Sequence, residues 1–111
     1  MERREILEKI EELINLLSSP LDASEIKNGW DAELQTRWKL FYQNMYEYIK
    51  TGKPLSKKPE YTSSICRALD FSGIMKGKFF DYAIDIECRL REIKNKERSL
   101  FSKFTKFLKG G

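Results

Sequence analysis

The segment from Trp30 to Gly52 constrains the fold more than any other part of the chain. Trp30, Leu34, Trp38, Phe41, Met45, Tyr48 and Ile49 recur mostly at three- and four-residue intervals, and Thr51 and Gly52 close the run. Residues spaced in this way gather on one side of a helix, whereas in a strand they would scatter over both faces. A helix with so heavy an aromatic face is not stable alone in water and requires other elements to cover it. Tyr42, Gln43 and Tyr46 lie partly off that face, and the two tyrosines are the candidates here for contact with a partner.

Other segments supply the cover. Ile6, Ile10, Leu13, Ile14 and Leu17 form one stripe of a helix predicted over residues 2–18, while Glu2, Glu5, Glu8, Glu11 and Glu12 lie mostly off it. Ser19, Pro20 and Asp22 read as the start of a short helix that runs to Lys27 and stops at Asn28 and Gly29. A further helix begins at Pro59 or Glu60, buries Ile65, Cys66 and Leu69, and stops near Phe71 to Gly73. Phe79, Tyr82, Ala83, Ile86, Leu90 and Ile93 predict a helix over residues 78–95. Between these, residues 52–59 form a loop rich in proline and lysine, and the stretch from Phe71 to Phe80, with Gly73 and Gly77, reads as a turn packed against the body.

The last part, residues 96–111, reads as a basic aromatic tail. Within it, residues 99–109 predict a separate short amphipathic helix, with Leu100, Phe101, Phe104, Phe107 and Leu108 opposed to Lys103, Lys106 and Lys109. The expectation is therefore an all-α chain, a single small helical bundle of about four main helices with short caps. Its predicted core has Trp30, Leu34, Trp38, Phe41 and Met45 packing on Ile6, Ile10, Leu13, Leu17, Ile86 and Leu90. A length of 111 residues suits one domain, and 41% hydrophobic with 34% charged residues suits a core beneath a solvated face.

The chain has no histidine, which removes the commonest proton shuttle near neutral pH and the usual way of activating a serine or cysteine nucleophile. Gly73 and Gly77 do not precede the lysine and hydroxyl residue of a phosphate-binding loop, and no strand precedes them. Asp81 and Asp85 share a helix face and are the carboxylates to test for catalysis or metal binding, but Lys78 and Arg89 stand at charge-pairing distance along the helix. Cys66 and Cys88 are too few for a disulfide scaffold and read as reduced core or near-core thiols. With no histidine beside them they cannot build a zinc site. The expectation is a non-catalytic chain with no cofactor and no metal. Glu2, Arg3, Arg4 and Glu5 directly after Met1 do not resemble a secretion signal, which places the expected site of action in the cytoplasm.

Charge carries the clearest functional signal. The first 51 residues hold 7 basic and 10 acidic side chains, a net of −3, and residues 52–111 hold 14 and 7, a net of +7. Lys94, Lys96, Arg98, Lys103, Lys106 and Lys109 crowd the C-terminal end, and Lys53, Lys57 and Lys58 crowd the loop. Such a concentration attracts an anionic partner, and three classes are open: a protein, a nucleic acid, or an anionic membrane surface reached by residues 99–109. A protein partner is favoured, because Asp81, Asp85, Glu87 and Glu92 interrupt the basic surface and no nucleic-acid-binding motif is present.

From Leu13-Ile-Asn-Leu-Leu through Trp30-Asp-Ala-Glu-Leu to Ser72-Gly-Ile-Met-Lys-Gly-Lys-Phe-Phe-Asp-Tyr-Ala-Ile, the chain resembles small helical proteins of poorly characterised bacterial families, some with an immunity-like role against secreted toxins. The resemblance implies a helical inhibitor, adaptor or immunity protein of bacterial or phage origin. Two departures stand out: lysines (Lys76 and Lys78) lie around Met75 where the family turn is glycine-rich, and the basic tail lies outside the shared region. Nuclease-directed immunity proteins are often acidic, so for that version the acidic N-terminal half would have to make the contact.

Overall fold

In the computed structural model, which describes the backbone of residues 2–110 and the side chains of residues 3–100, every regular element among the described residues is helical. The order is α1 (Glu2–Leu17), α2 (Ala23–Lys27), α3 (Ala32–Lys50), a 3₁₀ turn (Leu55–Lys57), α4 (Pro59–Thr62), α5 (Ile65–Phe71) and α6 (Lys78–Gly110). The chain is an all-α bundle. Its frame is α1 packed between α3 and α6, with α4, α5 and the 3₁₀ turn laid against α6.

The stripe of α1 forms as its spacing requires: Ile6, Ile10, Leu13 and Leu17 are all buried. Its C-terminal carbonyls are satisfied partly from a distance, because Gln35 Nε2 of α3 donates to Leu17 O at 2.8 Å and to Ser19 O at 2.6 Å. Ser19 is thus no helix start. The cap of α2 is Asp22, whose carboxylate accepts from the Glu25 amide at 2.8 Å, and α3 is capped in the same way by Asp31 on the Leu34 amide.

The buried face of α3 differs from the expected one. Tyr42, Met45 and Ile49 are fully buried, while Leu34, Trp38 and Phe41 are half-buried at the edge of the core. The aromatic stripe is broader than one contact line, so the helices beside it decide which part goes inside. Trp30, just ahead of α3, is buried as expected and meets Phe79 edge-on at 4.9 Å between centroids.

The helix expected after Pro59 is two short helices, because the chain turns extended at Ser63 and Ser64 between them. Glu87 explains the break: its buried carboxylate accepts from the Ile65 and Cys66 amides and so caps α5 from α6, alongside the Ser64 cap. Tyr42 lies within the field of Glu87 and Cys66, and burial first, then these two groups, pushes its phenol pKa far above the ordinary range. Cys66 is half-buried and Cys88 exposed, so Cys88 is not the core thiol expected.

The junction between α5 and α6 is built around glycine and a carboxylate. Gly77 has φ +109, and a Cβ there would fall 2.6 Å from Asn28 Nδ2 and 3.0 Å from Glu25 Oε1. Glu25 is buried, and its Oε1 accepts from the Lys78 amide at 3.2 Å, closing the N-terminal end of α6. Lys78 Nζ pairs with Asp22 at 2.9 Å and not with Asp81, and this bond, with the Glu25 amide, holds the Asp22 carboxyl below its usual range.

No break separates residues 78–95 from the tail. Residues 96–98, Lys-Glu-Arg, are good helix formers with no glycine or proline among them, and α6 runs through them to Gly110. At about 1.5 Å per residue it is about 50 Å long, and the chain's longest dimension is 61 Å. The last described core residue on it is Ile93.

Candidate partner-binding groove

The lysine loop expected at residues 52–59 is ordered by contacts from three directions. Tyr48 Oη donates to Pro54 O at 2.6 Å, Leu55 is buried within the core, and the Leu55 amide donates to Glu97 Oε2 at 3.0 Å. Arg3 completes the clamp. Its guanidinium donates to Ile49 O at 3.2 Å, to Lys53 O at 2.9 Å and to Glu97 Oε1 at 2.7 Å, so that one side chain ties α1 to the end of α3, the loop and α6.

This clamp sets the loop beside α6 and leaves between them a groove with a volume of about 770 Å³. Pro54 and Lys57 line it from the loop, and Lys94, Glu97, Arg98 and Leu100 line it from α6. Both oxygens of Glu97 are engaged, one of them by the Arg3 cation, so its charge is largely offset. The groove is therefore basic despite the acid at its wall. Lys94 Nζ donates to Thr62 Oγ1 of α4 at 3.2 Å, and Arg98 is exposed. Leu100 is 68% exposed, an unusual state for a leucine in a lined cleft.

Two basic runs far apart in sequence thus meet, and Lys57, Lys94 and Arg98 are the members that line one groove. Lys58 is diverted: its ammonium lies 5.6 Å from the Tyr48 ring centre and 3.8 Å from Glu60. Lys96 lies exposed on α6. Lys103, Lys106 and Lys109, with Phe101, Phe104, Phe107 and Leu108, fall outside the described side chains.

The tyrosines do not join the groove. Tyr42 is 2% exposed and is a core residue rather than a surface one, because its ring is the part of α3 that packs among Trp38 and Phe41 at 6.0 and 5.4 Å. Tyr46 is half-buried against the core. The groove-building Arg3, Leu55 and Glu97 carry no local signal of their role, although Leu100 was already legible as an apolar member of the tail.

Asp85 belongs to the seam between α1 and α6. It accepts from Arg89 Nε at 3.1 Å and lies 4.0 Å from Lys9 Nζ, and Arg89 also reaches Glu5 of α1 at 3.0 Å. Asp81 is exposed on the first turn of α6. Among the described residues no group of three or more cysteines and carboxylates is arranged to hold a metal ion, and no helix is long and apolar enough to cross a membrane. At the opposite end of the bundle the stretch expected as a turn packed against the body is only half so: Ile74 is buried, but Phe71, the last residue of α5, is 86% and Met75 68% exposed.

No protein-family model, no curated protein and no solved structure matches this chain.

Proposed function

We propose that this chain is a non-catalytic helical protein that binds a macromolecular partner, most simply another protein in the cytoplasm, through the groove between the 52–57 loop and α6. The observation that carries the reading is the convergence of Lys57, Lys94 and Arg98 with the exposed Leu100 on one ordered cleft. Clustered cations raise the local concentration of an anionic partner and speed its arrival, and an exposed apolar side chain beside them adds affinity on contact. Inhibitor, adaptor and toxin-immunity roles of the kind implied by the sequence resemblance are forms of this reading.

A nucleic-acid partner is the second reading, because phosphates would meet the same cations. Against it, among the described residues the loop-side rings Tyr48 and Tyr61 pack on each other at 5.8 Å and offer no open platform for stacked bases. Contact with an anionic membrane surface through residues 99–109 is the least favoured, because so short an amphipathic stretch gives a small and reversible footprint.

Capture from a cell extract by the tagged full chain, with and without nuclease, tests the proposal against the Lys57→Gln/Arg98→Gln variant. A protein retained after nuclease and lost with the variant supports it. A partner lost on nuclease treatment favours nucleic acid, and equal capture by the variant refutes the groove as the contact surface. The tail is tested separately: replacing Lys103, Lys106 and Lys109 by glutamine weakens capture and flattens its salt dependence only if those lysines take part.

A further inference from the structure

Resting on the reading of this cleft as a contact surface, we infer that its occupant is an acidic protein segment with an apolar side chain, its carboxylates meeting Lys57, Lys94 and Arg98 and its apolar side chain resting on Leu100 and Pro54. Charge is the first argument. With Glu97 held by Arg3 and by the Leu55 amide, the groove presents three cations and one neutralised acid. Arg98 is exposed and carries the planar fork that pairs a carboxylate through two parallel hydrogen bonds.

The apolar component decides between carboxylates and phosphates. Leu100 is 68% exposed at the wall, and Pro54 is exposed on the other side. Covering them is favourable for a partner that brings apolar atoms, and a sugar–phosphate backbone brings few. The volume of about 770 Å³ is that of a cleft for a few side chains. The walls are also set in advance, since Tyr48, Leu55 and Arg3 hold the loop through its backbone. A pre-ordered cleft loses little conformational freedom when a segment enters it.

The test uses the full chain and a fluorescent synthetic peptide with leucine at its centre and glutamates on either side. Its controls are the same peptide with glutamine for glutamate, the same peptide with serine for leucine, and polyuridylate. The expected result is that the glutamate–leucine peptide binds at least about tenfold more tightly than either peptide control and than polyuridylate. Backbone amide shifts should cluster at residues 52–57 and 94–100. Lys57→Gln/Arg98→Gln should lower its affinity about tenfold and flatten its salt dependence, and Leu100→Ser should abolish the advantage of leucine over serine. All three positions are exposed, so the variants keep the wild-type circular dichroism.

Equal affinity for the leucine and serine peptides, tighter binding of polyuridylate, shifts confined to another surface, or no binding up to about 1 mM would each overturn the inference. A concentration-dependent dimer in sedimentation that Lys57→Gln/Arg98→Gln abolishes would put a second copy of the chain in the groove and overturn it also. Failure here with groove-dependent capture intact removes only the chemistry of the occupant. Capture indifferent to the groove variant removes the functional reading itself.

Discussion

Replacing Tyr42 by phenylalanine should stabilise the protein, although tyrosine to phenylalanine in a core usually costs a hydrogen bond. The Tyr42 hydroxyl is buried and has no hydrogen-bond partner among the described residues. Leaving a hydroxyl dry and unpaired costs about 1–3 kcal/mol, and the phenylalanine removes that cost without opening a cavity. The ring contacts to Phe41 and Trp38, at 5.4 and 6.0 Å, remain. The net gain expected is about 1 kcal/mol, the lower end of that range, because phenylalanine also gives up the close packing contacts of the hydroxyl oxygen in the core. With a urea slope of about 1–3 kcal/mol per molar, the unfolding midpoint should rise by about 0.3–1 M at unchanged slope. Tyr42→Ala is the control, and it should cost about 3–5 kcal/mol as a large-to-small core change. A loss of stability in Tyr42→Phe would refute the argument, because it would mean the hydroxyl has a partner that the core geometry does not show. Weaker capture of a partner at unchanged stability would restore Tyr42 as a contact residue.

Two further predictions rest on the Glu87 corner. Glu87→Ala should destabilise the fold by about 2–3 kcal/mol, because the buried Ile65 amide then loses a charged acceptor, and Glu87→Gln, which keeps an acceptor oxygen, should cost less; urea unfolding of both variants checks this, and a loss below about 0.5 kcal/mol for alanine refutes the cap. Burial, and then the Glu87 carboxylate, raise the Cys66 thiol from its ordinary 9.0 to about 11. The folded chain thus holds this proton more tightly than the unfolded chain, so the stability it contributes is intact below about 9.0 and is lost as pH climbs toward about 11. Wild type should therefore lose stability relative to Cys66→Ala across that window, measured by urea midpoints below, within and above it. A difference that does not change with pH refutes the shift.

How much of this could be seen in the sequence differs by element. The helices α1 and α3 and residues 78–95 of α6 were legible because apolar side chains recur at helical spacing, and a helix's own periodicity is a local property; that α6 runs on without a break was not. The stripe of α1 and the run through Phe79, Ala83, Ile86, Leu90 and Ile93 needed no knowledge of a neighbour. The caps at Asp22 and Asp31 are local hydrogen bonds too, but Ser19 stood as the start of α2 in the sequence, and only the geometry of the turn picked Asp22 over it.

Tertiary structure decided the rest. Periodicity places a residue around its own helix axis and says nothing of where another helix lies, so the aromatic face of α3 could be read while the burial of Tyr42 instead of Phe41 could not. The carboxylates of Glu25, Glu87 and Glu97 accept from amides 53, 22 and 42 positions away, and the Arg3–Glu97 pair spans 94. Nothing within a short window distinguishes such an acid from a solvated one. The two basic runs were visible as charge, but a groove is a relation between a loop and a helix, and it exists only once Leu55 is buried and Arg3 has tied the loop to α6.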